Sequence, residues 1–326
     1  LTFAVTGRAN GSEDLAVTPV ANSIYDKAGN IAATTQSNNS KKLSDARIVT
    51  NGNKSFNTYS NGGYFKTLKV GNTQYVTFGK RYNDGYMYRF TINDDGNSFS
   101  QRQQQRFTGY VRGGTDIIQG PGNIVITAER GRADKDATDG SIIRTFVVPN
   151  GDQQNQYHYF SPAHQQNVLI DANGKPLSNS TYGDYNSLAQ LNDSTYVLAY
   201  MGESYNGYIA TFKVKMDGRI TILKQDEHDV VLGQYNSLVS VGGNTVALAY
   251  KGNGGGFVKT FTIPDDGSTI IEKKKVPLKE TENGGAAYFS FTKVNETVYA
   301  LAYQGNGADG YISTIKISQL GITRNI

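Results

Sequence analysis

Three kinds of side chain in this sequence could do chemistry: carboxylates, three histidines, and a series of tyrosines each followed by asparagine or an aromatic residue and then serine. Acid/base hydrolysis needs two carboxylates a few ångströms apart, and Asp116, Glu129, Asp184 and Glu203 are the candidates. Any set of solvated loops carries acidic residues in that number, so no catalytic residue is assigned. His158, His164 and His228 are scattered and make no metal set, and no serine stands in a Gly-x-Ser-x-Gly elbow. The segment Asp134-Lys135-Asp136-Ala137-Thr138-Asp139-Gly140 crowds carboxylates ahead of a glycine. It lacks the full acidic spacing and the closing glutamate of a calcium loop, so a charged hairpin is expected. Gly252-Asn253-Gly254-Gly255-Gly256 joins two extended segments and opens no helix, which excludes a phosphate cradle. No metal and no cofactor is called for.

The composition narrows the class. Among 326 residues there are 37 Gly, 22 Tyr and only 7 Pro, as expected for many short strands joined by tight turns. Cysteine is absent, which rules out disulfides and thiolate metal sites. The 32 basic and 28 acidic residues are interspersed with a net charge of +4, too weak and too mixed for a nucleic-acid footprint. No apolar run reaches the roughly 18 residues of a membrane span. The chain starts at Leu1 without a basic and apolar leader, so any signal peptide is expected to have been removed or to lie outside this sequence. The Asn, Gln, Thr, Ser, Tyr and Gly-rich composition resembles that of exported bacterial proteins and points to a secreted or cell-surface location.

The elements that must position these residues follow from an internal repeat. Tyr185-Asn186-Ser187-Leu188, Tyr235-Asn236-Ser237-Leu238 and Tyr288-Phe289-Ser290-Phe291 are copies of one segment. Each is followed by Leu-Ala-Tyr, ending at Tyr200, Tyr250 and Tyr303, and then by Gly-Tyr-Ile-x-Thr-Phe or a close relative, beginning at Gly207, Gly256 and Gly310. Weaker copies of the last segment begin at Gly29, Gly85 and Gly140. These six markers divide the chain into repeats 1 to 6, approximately 1–58, 59–110, 111–182, 183–231, 232–283 and 284–326. Each repeat reads as four short alternating strands, A to D, and Asp-Gly pairs such as Asp217-Gly218 and Asp266-Gly267 close the C-to-D hairpins. A four-stranded antiparallel sheet with two apolar faces must be covered by its neighbours on both sides. The expectation is an all-β, six-bladed β-propeller in a single domain, with inner strands starting near Leu1, Tyr64, Thr115, Tyr185, Tyr235 and Ala287. Tyr200, Tyr250 and Tyr303 are expected to pack between blades.

The opening residues of the inner strands would face the channel mouth: Tyr64, Lys66, Asp116, Tyr185, Asn186, Tyr235, Asn236, Tyr288 and Ser290. Tyrosine beside asparagine or serine offers flat apolar area with hydrogen-bonding groups, which suits glycans and peptides, although the same tyrosines could simply pack between blades. An asparagine within a strand needs either a backbone partner or a ligand.

The Tyr-Asn-Ser-Leu, Leu-Ala-Tyr and Gly-Tyr-Ile-x-Thr-Phe segments resemble the tandem propeller-type repeats of uncharacterised exported microbial proteins, over about residues 184–318. That resemblance implies the fold and no activity. Sialidases resemble the chain in blade count, but their Asp-box needs a tryptophan and this chain has none. The sequence therefore points to a recognition or adhesion module that binds a glycan or surface protein without catalysis. The alternative is a glycan-active hydrolase or lyase using carboxylates at the channel mouth.

Overall fold

A computed structural model describes residues 14–16, 25, 27–31, 40–42, 62–81, 84–93, 99–131, 140–148, 161–167, 183–282, 284–318 and 321–325. The chain divides into two units, Leu1–Lys54 and Ser55–Ile326. In the first unit, β1 (Asp14–Ala16) pairs antiparallel with β2 (Ser40–Lys42), and Tyr25 bridges Ile31. The strand expected at the chain start and the Asp134–Asp139 loop lie outside the described residues, as does His158.

The second unit contains five four-stranded antiparallel arrangements. Repeat 2 is built from β3 (Gly62–Lys69), β4 (Gln74–Arg81), β5 (Asp84–Ile92) and the first part of β6 (Phe99–Gln119). Repeat 3 takes the rest of β6 with β7 (Ile124–Gly131), β8 (Gly140–Val147) and β9 (Ser161–Asn167). Repeat 4 is β10 (Asp184–Gln190), β11 (Thr195–Met201), β12 (Gly207–Val214) and β13 (Ile220–Asp229). Repeat 5 is β14 (Gln234–Gly242), β15 (Thr245–Gly252), β16 (Gly255–Thr262) and β17 (Ile271–Leu278). Repeat 6 is β18 (Ala287–Lys293), β19 (Val298–Gln304), β20 (Gly310–Ser318) and β21 (Gly321–Asn325). The sequence suggests a break between repeats 2 and 3. Instead β6 runs through, and register shifts at Val111/Gly113 and Gly113/Asp116 absorb the change of partner.

Each hydrophobic cluster spans a seam between two repeats. Ile124, Ile126 and Ile143 of repeat 3 pack with Leu198, Tyr200 and Phe212 of repeat 4. Val197 and Ile209, on the other face of repeat 4, pack with Leu248 and Tyr250 of repeat 5. Period-two alternation thus sends neighbouring side chains of one strand into two different cores. Tyr200 and Tyr250 are fully buried and Tyr303 nearly so.

Polar bonds repeat across the same seams. Asp116 Oδ2 accepts from the Leu188 N–H at 2.7 Å, Ser187 Oγ from the Leu238 N–H at 2.9 Å, and Ser237 Oγ from the Phe291 N–H at 3.0 Å. Thr145 donates to the Gly218 carbonyl and Thr211 to the Gly267 carbonyl, both at 2.7 Å. Those carbonyls belong to the Asp-Gly turns, so the seams between repeats 3 and 4 and between repeats 4 and 5 are each tied twice. The inner strands β3, end of β6, β10, β14 and β18 lie side by side in that order. The architecture is β-propeller-like.

Candidate functional site

Among the described residues each inner strand begins with a register shift: Gly63/Lys66, Gly113/Asp116, Asp184/Ser187, Gln234/Ser237 and Ala287/Ser290. At its centre the backbone turns left-handed, with φ of 57° at Tyr185, 54° at Tyr235 and 54° at Tyr288. The equivalent residue of repeat 3 is Gly114, at φ 55°. A side chain in this region costs about 1–2 kcal/mol, so three tyrosines are held there by their surroundings rather than by local preference.

The consequence is an aromatic arc. The Tyr185 and Tyr235 rings lie 4.5 Å apart at 49°, and the Tyr235 and Tyr288 rings 5.0 Å apart at 59°. Tyr288 is 70% exposed and the other two are half-buried. Beneath the arc, Asn186 donates to the carbonyls of Gly114 (2.8 Å) and Gly183, and its Oδ1 accepts from Ser141. Asn236 donates to the carbonyls of Tyr185 (3.2 Å) and Gly233 (3.1 Å). Both asparagines are buried, so the partner that a strand asparagine needs is backbone here.

A charged sector adjoins the arc. Arg130 Nη1 meets Asp184 Oδ2 at 2.5 Å. The exposed Lys66 stands at the repeat position of Asp116, and its charge acts on that carboxyl. Burial pushes Asp116 above the usual carboxylate range, against the opposing N–H groups of Leu188 and Ile117 and the Lys66 charge. Ser290 is exposed on β18; Tyr64 lies on β3 with its side chain outside the described residues.

The candidate carboxylates are not brought together as an open pair. Glu129 takes the place that Tyr200 holds in the next repeat and is buried against Arg144, Oε1 to Nε 2.5 Å, with Thr127 donating to Oε2 at 3.1 Å. Asp184 is ion-paired, Asp116 binds backbone, and Glu203 is exposed on a 3₁₀ turn, Glu203–Tyr205. His164 is exposed on β9 and His228 is buried on β13. Among the described residues no three metal-ligating side chains converge.

Sequence reasoning did not find the left-handed tyrosines, although a glycine at position 114 of an otherwise aromatic repeat register was a usable signal. At the opposite ends of the strands a cavity of about 790 Å³ is lined by Pro121, Gln190, Lys213 and Met216, and one of about 570 Å³ by Asn72, Gln119, Asn123 and the same Met216. Among the described residues no helix is long and apolar enough to cross a membrane.

No protein-family model matches the chain, and no curated protein does. Solved structures do resemble it. A protein from Lactobacillus plantarum has a TM-score of 0.53 at 11% identity, over 78% of this chain and 67% of that one. A candidate 6-phosphogluconolactonase from Bacteroides fragilis has a TM-score of 0.50 at 11% identity, over 80% and 79%. The SapL1 lectin in complex with alpha methyl fucoside has a TM-score of 0.48 at 9% identity, over 80% and 78%. At such identities likeness speaks to the fold alone.

Proposed function

We propose that this chain is a secreted or cell-surface recognition module that binds a glycan, without catalysis, at the arc formed by Tyr185, Tyr235 and Tyr288. The supporting observation is that three tyrosines are kept in a costly left-handed conformation at one repeat position, with their rings tilted against one another at 4.5 and 5.0 Å. Flat aromatic area bordered by Lys66, Asp116, Arg130 and Asp184 suits the apolar face and the hydroxyl edge of a sugar. In this reading the fold is a six-bladed propeller, the marker at Gly29 belonging to the remaining repeat, and Ser290 follows Tyr288 on β18.

A glycan array run at neutral pH, with Tyr288→Ala beside the wild type, tests the proposal. Binding that falls at least tenfold in the variant supports it. A glycan that binds both proteins equally overturns it. So does polysaccharide cleavage that is lost in Asp116→Asn, since that outcome would favour the enzyme reading.

A further inference from the structure

The seam between repeats 4 and 5 departs from its neighbour at one place. In the preceding seam Ser141 donates to Asn186 Oδ1. Gly207 holds the repeat position of Ser141, as the pairings Arg130 with Ser141 and Met201 with Gly207 show. A Cβ on Gly207 would meet His228 Cε1 at 2.4 Å and Nε2 at 2.5 Å. The imidazole therefore fills the volume that the serine hydroxymethyl group occupies one seam earlier. Asn236 Oδ1, the counterpart of Asn186 Oδ1, has no hydrogen-bond partner among the described residues, and neither has either nitrogen of His228.

The surroundings of this ring favour its neutral form. It is 6% exposed and meets Tyr250 edge-on at 4.8 Å. The cations facing it are Lys259 of β16, whose Nζ donates to the His228 carbonyl and pairs with Glu272 at 2.8 Å, and Lys275 of β17. The carboxylate facing it is Asp229, which is already bonded to Tyr250, Lys275 and the N–H groups of Val231 and Leu232. From β12 it meets Gly207, which brings no charge. Directly after Leu232 comes Gly233, which packs on Gly207 and whose carbonyl receives Asn236; Tyr235 lies between.

We propose that His228 is a positioning residue for Tyr235: neutral, it wedges segment 230–233 against Gly207 and holds the arc together, and once protonated it lets that segment go. The inference rests on the arc being the binding site. It gives the module a built-in release in acid, because the closed seam offers neither ring nitrogen an acceptor for a second proton.

Hydrogen exchange of residues 229–237, corrected for the intrinsic pH dependence of exchange, tests it on the full chain. Two pH units below the unperturbed value of 6.5, opening should rise roughly 100-fold between pH 7 and pH 4.5. The double variant Gly207→Ser with His228→Ala rebuilds the serine arrangement of the preceding seam and should abolish that rise. An equal rise in the double variant, or one just as large in residues 287–304, overturns the proposal. If the double variant does not fold, the Cε1 proton resonance of His228 in the wild type decides: titration midway near pH 6.5 in the folded protein refutes a closed, neutral ring, and constancy down to pH 5 supports it. Glycans selected at pH 7 should dissociate at pH 4.5 from the wild type and stay on the double variant. If no glycan binds at any pH, the reading of the arc fails while exchange still judges His228.

Discussion

The side-chain amide of Asn236 donates to the backbone carbonyl of Tyr185, 3.2 Å away in the preceding repeat. Asn186 does the same to Gly114 at 2.8 Å. In both cases the accepting residue is the left-handed one, and in the first the asparagine clamps the backbone that aims the Tyr185 ring. The asparagines hold the arc from beneath.

Replacing Asn236 by alanine should therefore cost stability first. It leaves one buried and one partly buried carbonyl without their donor, a loss of about 1–3 kcal/mol, and the same holds for Asn186. Urea midpoints of the two single variants and the double variant measure this. Unchanged midpoints would show that water satisfies those carbonyls and that the clamp is dispensable.

Tyr250 and Tyr288 should behave oppositely. Tyr250 is fully buried, with its hydroxyl 2.9 Å from Asp229 Oδ2, so Tyr250→Ala should cost about 3–5 kcal/mol. Tyr288 is 70% exposed and sits in a left-handed conformation, so Tyr288→Gly should be neutral or slightly stabilising. Thermal melts of the two variants, side by side, separate the packing tyrosines from those of the arc.

The Glu129–Arg144 pair stands where repeat 4 has Tyr200 and Ala210. Glu129→Ala should destabilise by about 3–5 kcal/mol, because it takes the carboxylate from a buried guanidinium. The double change Glu129→Tyr with Arg144→Ala copies the neighbouring repeat and should recover most of that loss. A denaturation series on the single and double variants reads the difference as a coupling energy.

Stability should also fall in mild acid. Burial, then the Lys259 charge, hold the His228 imidazole down to about 3, against 6.5 when unperturbed. The unfolded chain thus binds a proton that the folded chain refuses between those values. The contribution of His228 is complete above about pH 6.5 and is lost progressively as pH falls toward 3. Guanidinium midpoints at pH 7, 5.5 and 4.5 should decline in the wild type more steeply than in Gly207→Ser with His228→Ala. Parallel declines would assign the effect to other groups.

Much of the strand plan was legible in one dimension. The four strands expected in repeat 4 are β10–β13, and the inner strands expected to start near Tyr185, Tyr235 and Ala287 are β10, β14 and β18. Alternation and turn residues are local, so spacing alone reports them, and the burial of Tyr200, Tyr250 and Tyr303 follows from the same alternation. The continuity of β6 was not legible, because whether a D strand stops before the next A strand depends on how two sheets meet.

The candidate residues divide in the same way. Repetition alone identified Tyr185, Tyr235 and Tyr288 as equivalent positions at the start of the inner strands. That their backbones are left-handed, that Asn186 and Asn236 point at carbonyls of the preceding repeat, and that His228 fills the place of a serine were decided by the tertiary structure. The asparagine bonds depend on what stands across a seam, as between Asn186 and Gly114, and the His228 contact on how β13 lies against β12. A periodic sequence tells which positions are alike; only the packing of one sheet on the next determines what each copy touches, and a single exchange of serine for glycine is enough to give one seam a different chemistry.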